Sequence, residues 1–327
     1  MNQSSISAAA IAALFALAAP LSAQTVGTIV IAHGGSAEWN APVLDIARQA
    51  QTGGPVEVAL LMGEFAPQHR FQDAVARLIE QGAERIVAVP LLASSHSGHY
   101  DQIRYLAGEL PALSESMMHH LEMAGIERPA TEVPITVTHS IDASMEIATI
   151  LSERALALAN DASQQALYIV GHGPNSAEDH AEWMANLRPV ADSIARATGF
   201  RDVKIGLVRD DAPDAVRAEA VRSIREVIEL QRELTGQPVV VVPVLISNGY
   251  VSQKLRRDLA GLDIAFDGNG LLPHAQLARW IERRVREAPV QETAQDTASR
   301  GAAPSGAREA ATHRSAPGDA PGEHGAH

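Results

Sequence analysis

Two stretches of this chain repeat each other in the same order, and that repetition constrains the fold more than any other feature. Ile29-Val30-Ile31-Ala32-His33-Gly34 is echoed by Tyr168-Ile169-Val170-Gly171-His172-Gly173. Ile86-Val87-Ala88-Val89-Pro90-Leu91-Leu92 is echoed by Val239-Val240-Val241-Val242-Pro243-Val244-Leu245. The second pair lies further apart than the first, so the second copy carries insertions. Short β-branched runs bounded by glycine suit strands of a parallel sheet buried on both faces. Strands are expected at 26–32, 56–62, 85–92 and 135–138, then at 166–170, 203–208 and 239–246. Helical periodicity falls between them, at 41–50, 71–81, 100–108 and 144–159, then at 179–198, 215–234 and 275–285. This alternation predicts an α/β protein of two duplicated, doubly wound parallel-sheet domains with right-handed crossovers, at residues 24–160 and 161–286.

The ends of the chain read differently. Ile6 to Pro20 is an apolar run followed by Leu21-Ser22-Ala23-Gln24, which predicts a signal peptide over residues 1–23 and an exported, periplasmic protein. The run is short for a membrane span, so no stable membrane association is expected after cleavage. From residue 287 to 327 Pro, Gly, Ala, Ser and Thr dominate without apolar periodicity, the composition of a disordered tail. His313, His324 and His327 lie in it, where they would scavenge metal only weakly.

Composition narrows the chemistry. The 327 residues carry a formal net charge of −13, which argues against nucleic acid or an anionic membrane as partner. There is no cysteine, so disulfides, thiolate ligands and a cysteine nucleophile are all excluded. Any metal must be held by His, Asp or Glu, donors that suit Co, Ni, Fe or Zn.

In an open α/β sheet, ligands collect beyond the carboxyl ends of the strands. In the first copy those ends carry His33, Glu64, His96 and His99. Imidazole nitrogen and carboxylate oxygen accept a borderline divalent metal and leave positions open for a substrate donor. Each residue also has a plainer reading. His33-Gly34-Gly35-Ser36 fits a phosphate-cradling turn, His96 and His99 sit in a polar turn sequence, and Glu64 alone is an ordinary surface acid. An esterase is disfavoured, because no Gly-x-Ser-x-Gly nucleophile elbow is present. In the second copy His172, Asp179 and His180 are candidates for a second or vestigial site, but Ser247-Asn248-Gly249-Tyr250-Val251, beyond Pro243, contains no histidine.

The order of these landmarks resembles a known family. A strand ending in His33-Gly34, then Val56-Glu57-Val58-Ala59-Leu60-Leu61, then a helix leading to Ile86-Val87-Ala88-Val89-Pro90-Leu91-Leu92 with histidine beyond it, is similar to the class II chelatases. These include the sirohydrochlorin cobaltochelatases and ferrochelatases (CbiX-type) of cobalamin and sirohaem synthesis. Leu271-Leu272-Pro273-His274-Ala275 before the last helix is similar to the long, two-domain form.

The resemblance implies a divalent metal ion (Co2+, Ni2+ or Fe2+) as substrate, inserted into a sirohydrochlorin-like tetrapyrrole without a nucleotide. It implies His33 and His99 as metal ligands and His96 as a third ligand or proton acceptor. Glu64 would serve as base or ligand. A polycarboxylate macrocycle calls for arginines along the cleft, with Arg70, Arg104 and Arg209 as candidates; as surface residues they would simply be solvated charges. The rival reading is an exported protein that keeps this fold and delivers or buffers a metal without macrocycle chemistry. A third is a structural α/β domain with no metal.

Overall fold

The computed structural model describes residues 24–289. The expected signal peptide lies outside those residues, as does the expected 287–327 tail apart from its first three residues, of which Glu287 closes the last helix.

The first copy forms strands β1 (Val26–Ala32), β2 (Val56–Leu60), β3 (Arg85–Pro90) and β4 (Ile135–Val137). They make one four-stranded, all-parallel sheet in the order β2-β1-β3-β4. The second copy forms β5 (Ala166–Gly171), β6 (Asp202–Leu207), β7 (Val239–Val244) and β8 (Ile264–Ala265), in the equivalent order β6-β5-β7-β8. The duplicated parallel α/β architecture expected from the repeats is therefore present. Every residue of β3, β5 and β7 is buried, which is why those runs carry no polar alternation.

The helices are α1 (Ala37–Gln49), α2 (Phe71–Glu80), α3 (Gly98–Leu106), α4 (Glu115–Met123), α5 (Met145–Leu158), α6 (Ala177–Thr198), α7 (Asp214–Thr235), α8 (Tyr250–Asp258) and α9 (Ala275–Glu287). None of the described helices is long and apolar enough to cross a membrane.

Three elements escape the sequence pattern. Within α4 only Leu121 is fully buried, and within α8 only Ser252 and Leu255, so neither offers an apolar stripe wide enough to read. β8 has two residues, too few for any alternation to register.

The two copies exchange helices. α5 follows the first sheet but packs on β7 and α6 of the second. α9 ends the second copy but packs on α1, α5 and β3 of the first. One apolar core accordingly runs through both copies, joining Val30, Val87 and Val89 to Val240, Val242 and the fully buried Trp280. Polar contacts fasten the exchange. Trp280 Nε1 donates to Ser144 Oγ at 3.0 Å, and Arg283 makes a paired contact with Glu146 at 2.7 and 2.8 Å. Burial pushes the Glu146 carboxyl up, but the Arg283 hydrogen bonds, the Glu146 backbone N–H and the charges of Arg283 and Arg284 together outweigh it, and the net shift is downward. The exchanged helices hold the two sheets together, so that both sets of strand ends border one site.

Candidate metal centre

His33 directly follows β1, where the chain must turn away from the sheet. Gly34 makes that turn at φ +90°, and a Cβ there would lie 2.1 Å from the Met62 carbonyl oxygen. The next residues are pinned by the buried Asn40, whose side-chain oxygen accepts from Gly35 N and whose amide donates to Gly35 O, each at 3.0 Å. Ser36 then caps α1 by accepting from Trp39 N. The imidazole lies 2.8 Å through Nδ1 from Gly34 O. A carbonyl can only accept, so Nδ1 carries the proton and Nε2 is left with its lone pair.

His99 sits in the first turn of α3, after a loop held by Asp142. That carboxylate accepts from the backbone N–H and the hydroxyl of Ser95, both at 2.7 Å. Ser97 caps the helix by accepting from Tyr100 N. The His99 ring is held through Nδ1 by Gln102 Oε1 at 2.8 Å, and the fully buried Gln102 donates in turn to Met117 O at 2.7 Å. Because the Gln102 amide must donate to that carbonyl, its oxygen faces the imidazole and Nδ1 again bears the proton. Both histidines are thus locked with Nε2 free, the arrangement by which an outer shell prepares metal ligands.

The His33 and His99 rings meet edge to face with centroids 4.8 Å apart. A third imidazole, His120 of α4, lies 6.4 Å from His99, and its Nδ1 is buried without a hydrogen-bond partner. Burial lowers the His33 pKa, partly opposed by the Gly34 hydrogen bond; His172 lowers it further, and Asp211 raises it. Burial lowers His99 to about 4, with His33 acting in the same direction and the Gln102 bond opposing. Both are therefore neutral at physiological pH and available as nitrogen ligands without first losing a proton.

The second copy supplies the facing wall. Trp39 lies beside His33, and Gly249 of the β7–α8 loop approaches Trp39 so closely that a Cβ would reach it at 2.9 Å. Trp183 of α6 donates through Nε1 to the His96 carbonyl at 2.7 Å.

The sequence-predicted residues divide accordingly. His33 and His99 come together, while His96 contributes its main chain to the contact with Trp183 and its own N–H to Ser94 Oγ. Among the described residues the imidazoles in ring contact are His33 with His99 and His99 with His120. Glu64 is solvent-exposed in the turn after β2, whose Gly63 packs on Gly35. Arg70 pairs with Asp73 at 2.7 Å, and Arg104 lies between Asp101 and Glu109 at 3.7 and 3.5 Å. Arg209 spends its guanidinium on the carbonyls of Pro174 and Asn175, bracing the loop after His172.

His120 and Gln102 were not among the sequence candidates. His120 lies on the unpredicted α4. Gln102 could have been flagged only as a polar residue at i+3 from a histidine.

Residues 27–158 match the CbiX family model. The resemblance drawn from the order of landmarks is borne out over residues 27–158. Among solved structures, SirB from Bacillus subtilis with Fe3+ aligns with a TM-score of 0.57 and 15% identity, over 85% of this chain and 98% of that one. DR2241 from Deinococcus radiodurans, described as a multi-domain protein with structural similarity to chelatases, aligns with a TM-score of 0.49 and 14% identity. That alignment covers 80% of this chain and 55% of the other. At 15% identity the likeness to SirB is one of fold. No curated protein sequence matches the chain.

Proposed function

We propose that the protein is a metal chelatase that inserts a divalent metal into a sirohydrochlorin-type tetrapyrrole, with His33 and His99 presenting the metal. The observation that carries this reading is the pair of neutral imidazoles, 4.8 Å apart, each with Nδ1 tied to a fixed acceptor and Nε2 free. Two such nitrogens hold a borderline cation while leaving coordination positions for the incoming pyrrole nitrogens. Insertion exchanges one divalent ion for the two N–H protons of the macrocycle, so two protons must leave. In this reading Glu64, exposed beside the His33 turn, and the free edge of His120 are the groups that take them up. The CbiX match over the half that holds both histidines supports the assignment. Co2+, Ni2+ and Fe2+ are the metals proposed, since nitrogen and oxygen donors accept each of them.

Export forms part of the proposal: residues 1–23 are removed and the mature chain begins at Gln24, which the amino-terminal sequence of the purified protein tests.

The activity is tested by following, anaerobically, the absorbance of sirohydrochlorin with Co2+ or Ni2+ in the presence of the protein or of its His33→Ala/His99→Ala variant. Insertion accelerated by the native chain and lost in the variant is the expected outcome. Stoichiometric metal binding with no acceleration would replace the chelatase by a metal-delivery protein of the same fold.

A further inference from the structure

The first copy's site has a counterpart in the second, and of the residues expected there only His172 belongs to it. Ala32 pairs with Leu60 and Gly171 with Leu207 in equivalent register. One residue beyond Ala32 and Gly171 stand His33 and His172. Equal steps beyond Leu60 and Leu207 lead to Glu64 and Asp211. The duplication therefore places a histidine and an acid at matching strand ends of both sheets.

In the second copy these groups converge. His172 is oriented as His33 is, with Nδ1 donating to Gly173 O at 2.8 Å and Nε2 left free. That Nε2 lies 3.4 Å from Asp211 Oδ2. Asp210 is braced from behind: Oδ1 accepts from Arg217 Nε at 2.9 Å and Lys254 Nζ at 2.8 Å, and the side chain is 5% exposed. One donor atom each from His172, Asp210 and Asp211 lies within 4.8 Å of the others. Asp179 and His180 are not part of this group. Asp179 is engaged by the α6 cap, where its carboxylate accepts from Ser176 Oγ.

Charge favours a cation here. Arg217 is shared with Asp258, so three carboxylates face two basic side chains, and one negative charge is left over beside the His172 imidazole. A nitrogen with two carboxylate oxygens is a mixed donor set suited to a borderline divalent ion rather than to Mg2+ or Ca2+, which take oxygen throughout.

We propose that His172, Asp210 and Asp211 form a second divalent-cation site, on the wall that faces His33 and His99. Asp211 lies near enough to act electrostatically on both of those histidines, so the two sites are neighbours. The loop after β7 supplies no further imidazole, so the second site is one of binding rather than insertion. It is independent of the chelatase reading.

The test counts Co2+ bound to the full chain, by equilibrium dialysis with metal analysis and by calorimetric titration. The native protein is expected to bind one equivalent more than His172→Ala/Asp211→Asn, and His33→Ala/His99→Ala to retain that equivalent. Tail histidines are common to all three chains and cancel in the difference. Asp211→Asn alone, at a side chain 64% exposed, is expected to weaken this equivalent at least tenfold; it carries the test if the double variant does not fold. Unchanged stoichiometry and affinity in a folded variant would overturn the proposal. Failure of macrocycle insertion would leave this count untouched, so the two readings fail separately.

Discussion

Gln102→Leu isolates the positioning of His99 from the metal ligands themselves. The substitution keeps volume and apolar packing but removes two hydrogen bonds, of 2.8 Å to His99 Nδ1 and 2.7 Å to Met117 O. Each leaves a largely enclosed polar group without a partner, at about 1–3 kcal/mol, and the imidazole can turn to recover part of that. A net cost of roughly 2–4 kcal/mol corresponds to a fall in Tm of about 4–15 °C for a chain of this size. The larger consequence is that His99 loses the acceptor that fixes its tautomer and ring angle. Removing such an outer-shell partner weakens metal binding by about 10–100-fold. Thermal melting and competition for Co2+ against a chelator of known affinity measure the two effects. Gln102→Glu separates them: it restores the acceptor for Nδ1 but cannot donate to Met117 O, so affinity should recover while Tm stays low. If folded Gln102→Leu binds Co2+ as tightly as the native chain, Gln102 is only a structural tie between α3 and α4, and the argument for a prepared His99 fails.

Three further predictions follow from other parts of the structure. Gly34→Ala would put a side chain at φ +90° against the Met62 carbonyl, so a loss of at least about 2–3 kcal/mol is expected in denaturant unfolding, with the Co2+ equivalent held by His33 and His99 lost through displacement of His33. His99 falls from the ordinary 6.5 to about 4 on folding, so between those values the unfolded chain takes up a proton that the native state refuses. Stability should therefore decline as pH drops from about 6.5 toward 4, and apo His99→Gln should show a shallower decline in thermal melts; identical slopes would refute the burial argument. Trp183→Phe removes the 2.7 Å bond to the His96 carbonyl that ties the two copies beside the site, and should cost about 1 kcal/mol in chemical denaturation with the far-ultraviolet spectrum unchanged.

Much of this protein was legible in its residues alone. The β-branched runs at β1, β3, β5 and β7 are continuous because both faces of each strand are buried, and that continuity, seen twice, was enough to establish a duplicated parallel α/β fold. His33 and His99 could be singled out because the topology requires strand ends to converge on one rim, a rule that does not depend on side-chain detail. What the rule could not supply was the company those histidines keep. His120 and Gln102 come from helical positions without a strand-end address; His120 meets His99 only because α4 packs beside α3, and Gln102, one turn on from His99, is oriented by Met117 of α4. Asp210 and Asp211 were not among the sequence candidates, and it is the pairing of β6 with β5 that brings them beside His172. The exchange of α5 and α9 left no mark in local periodicity, since an amphipathic helix shows the same stripe whichever sheet it covers. Local sequence therefore determined the strands and helices other than α4, α8 and β8, together with the strand-end donors. Only tertiary packing decided which of those donors share a cleft, because that depends on contacts between segments far apart in the chain.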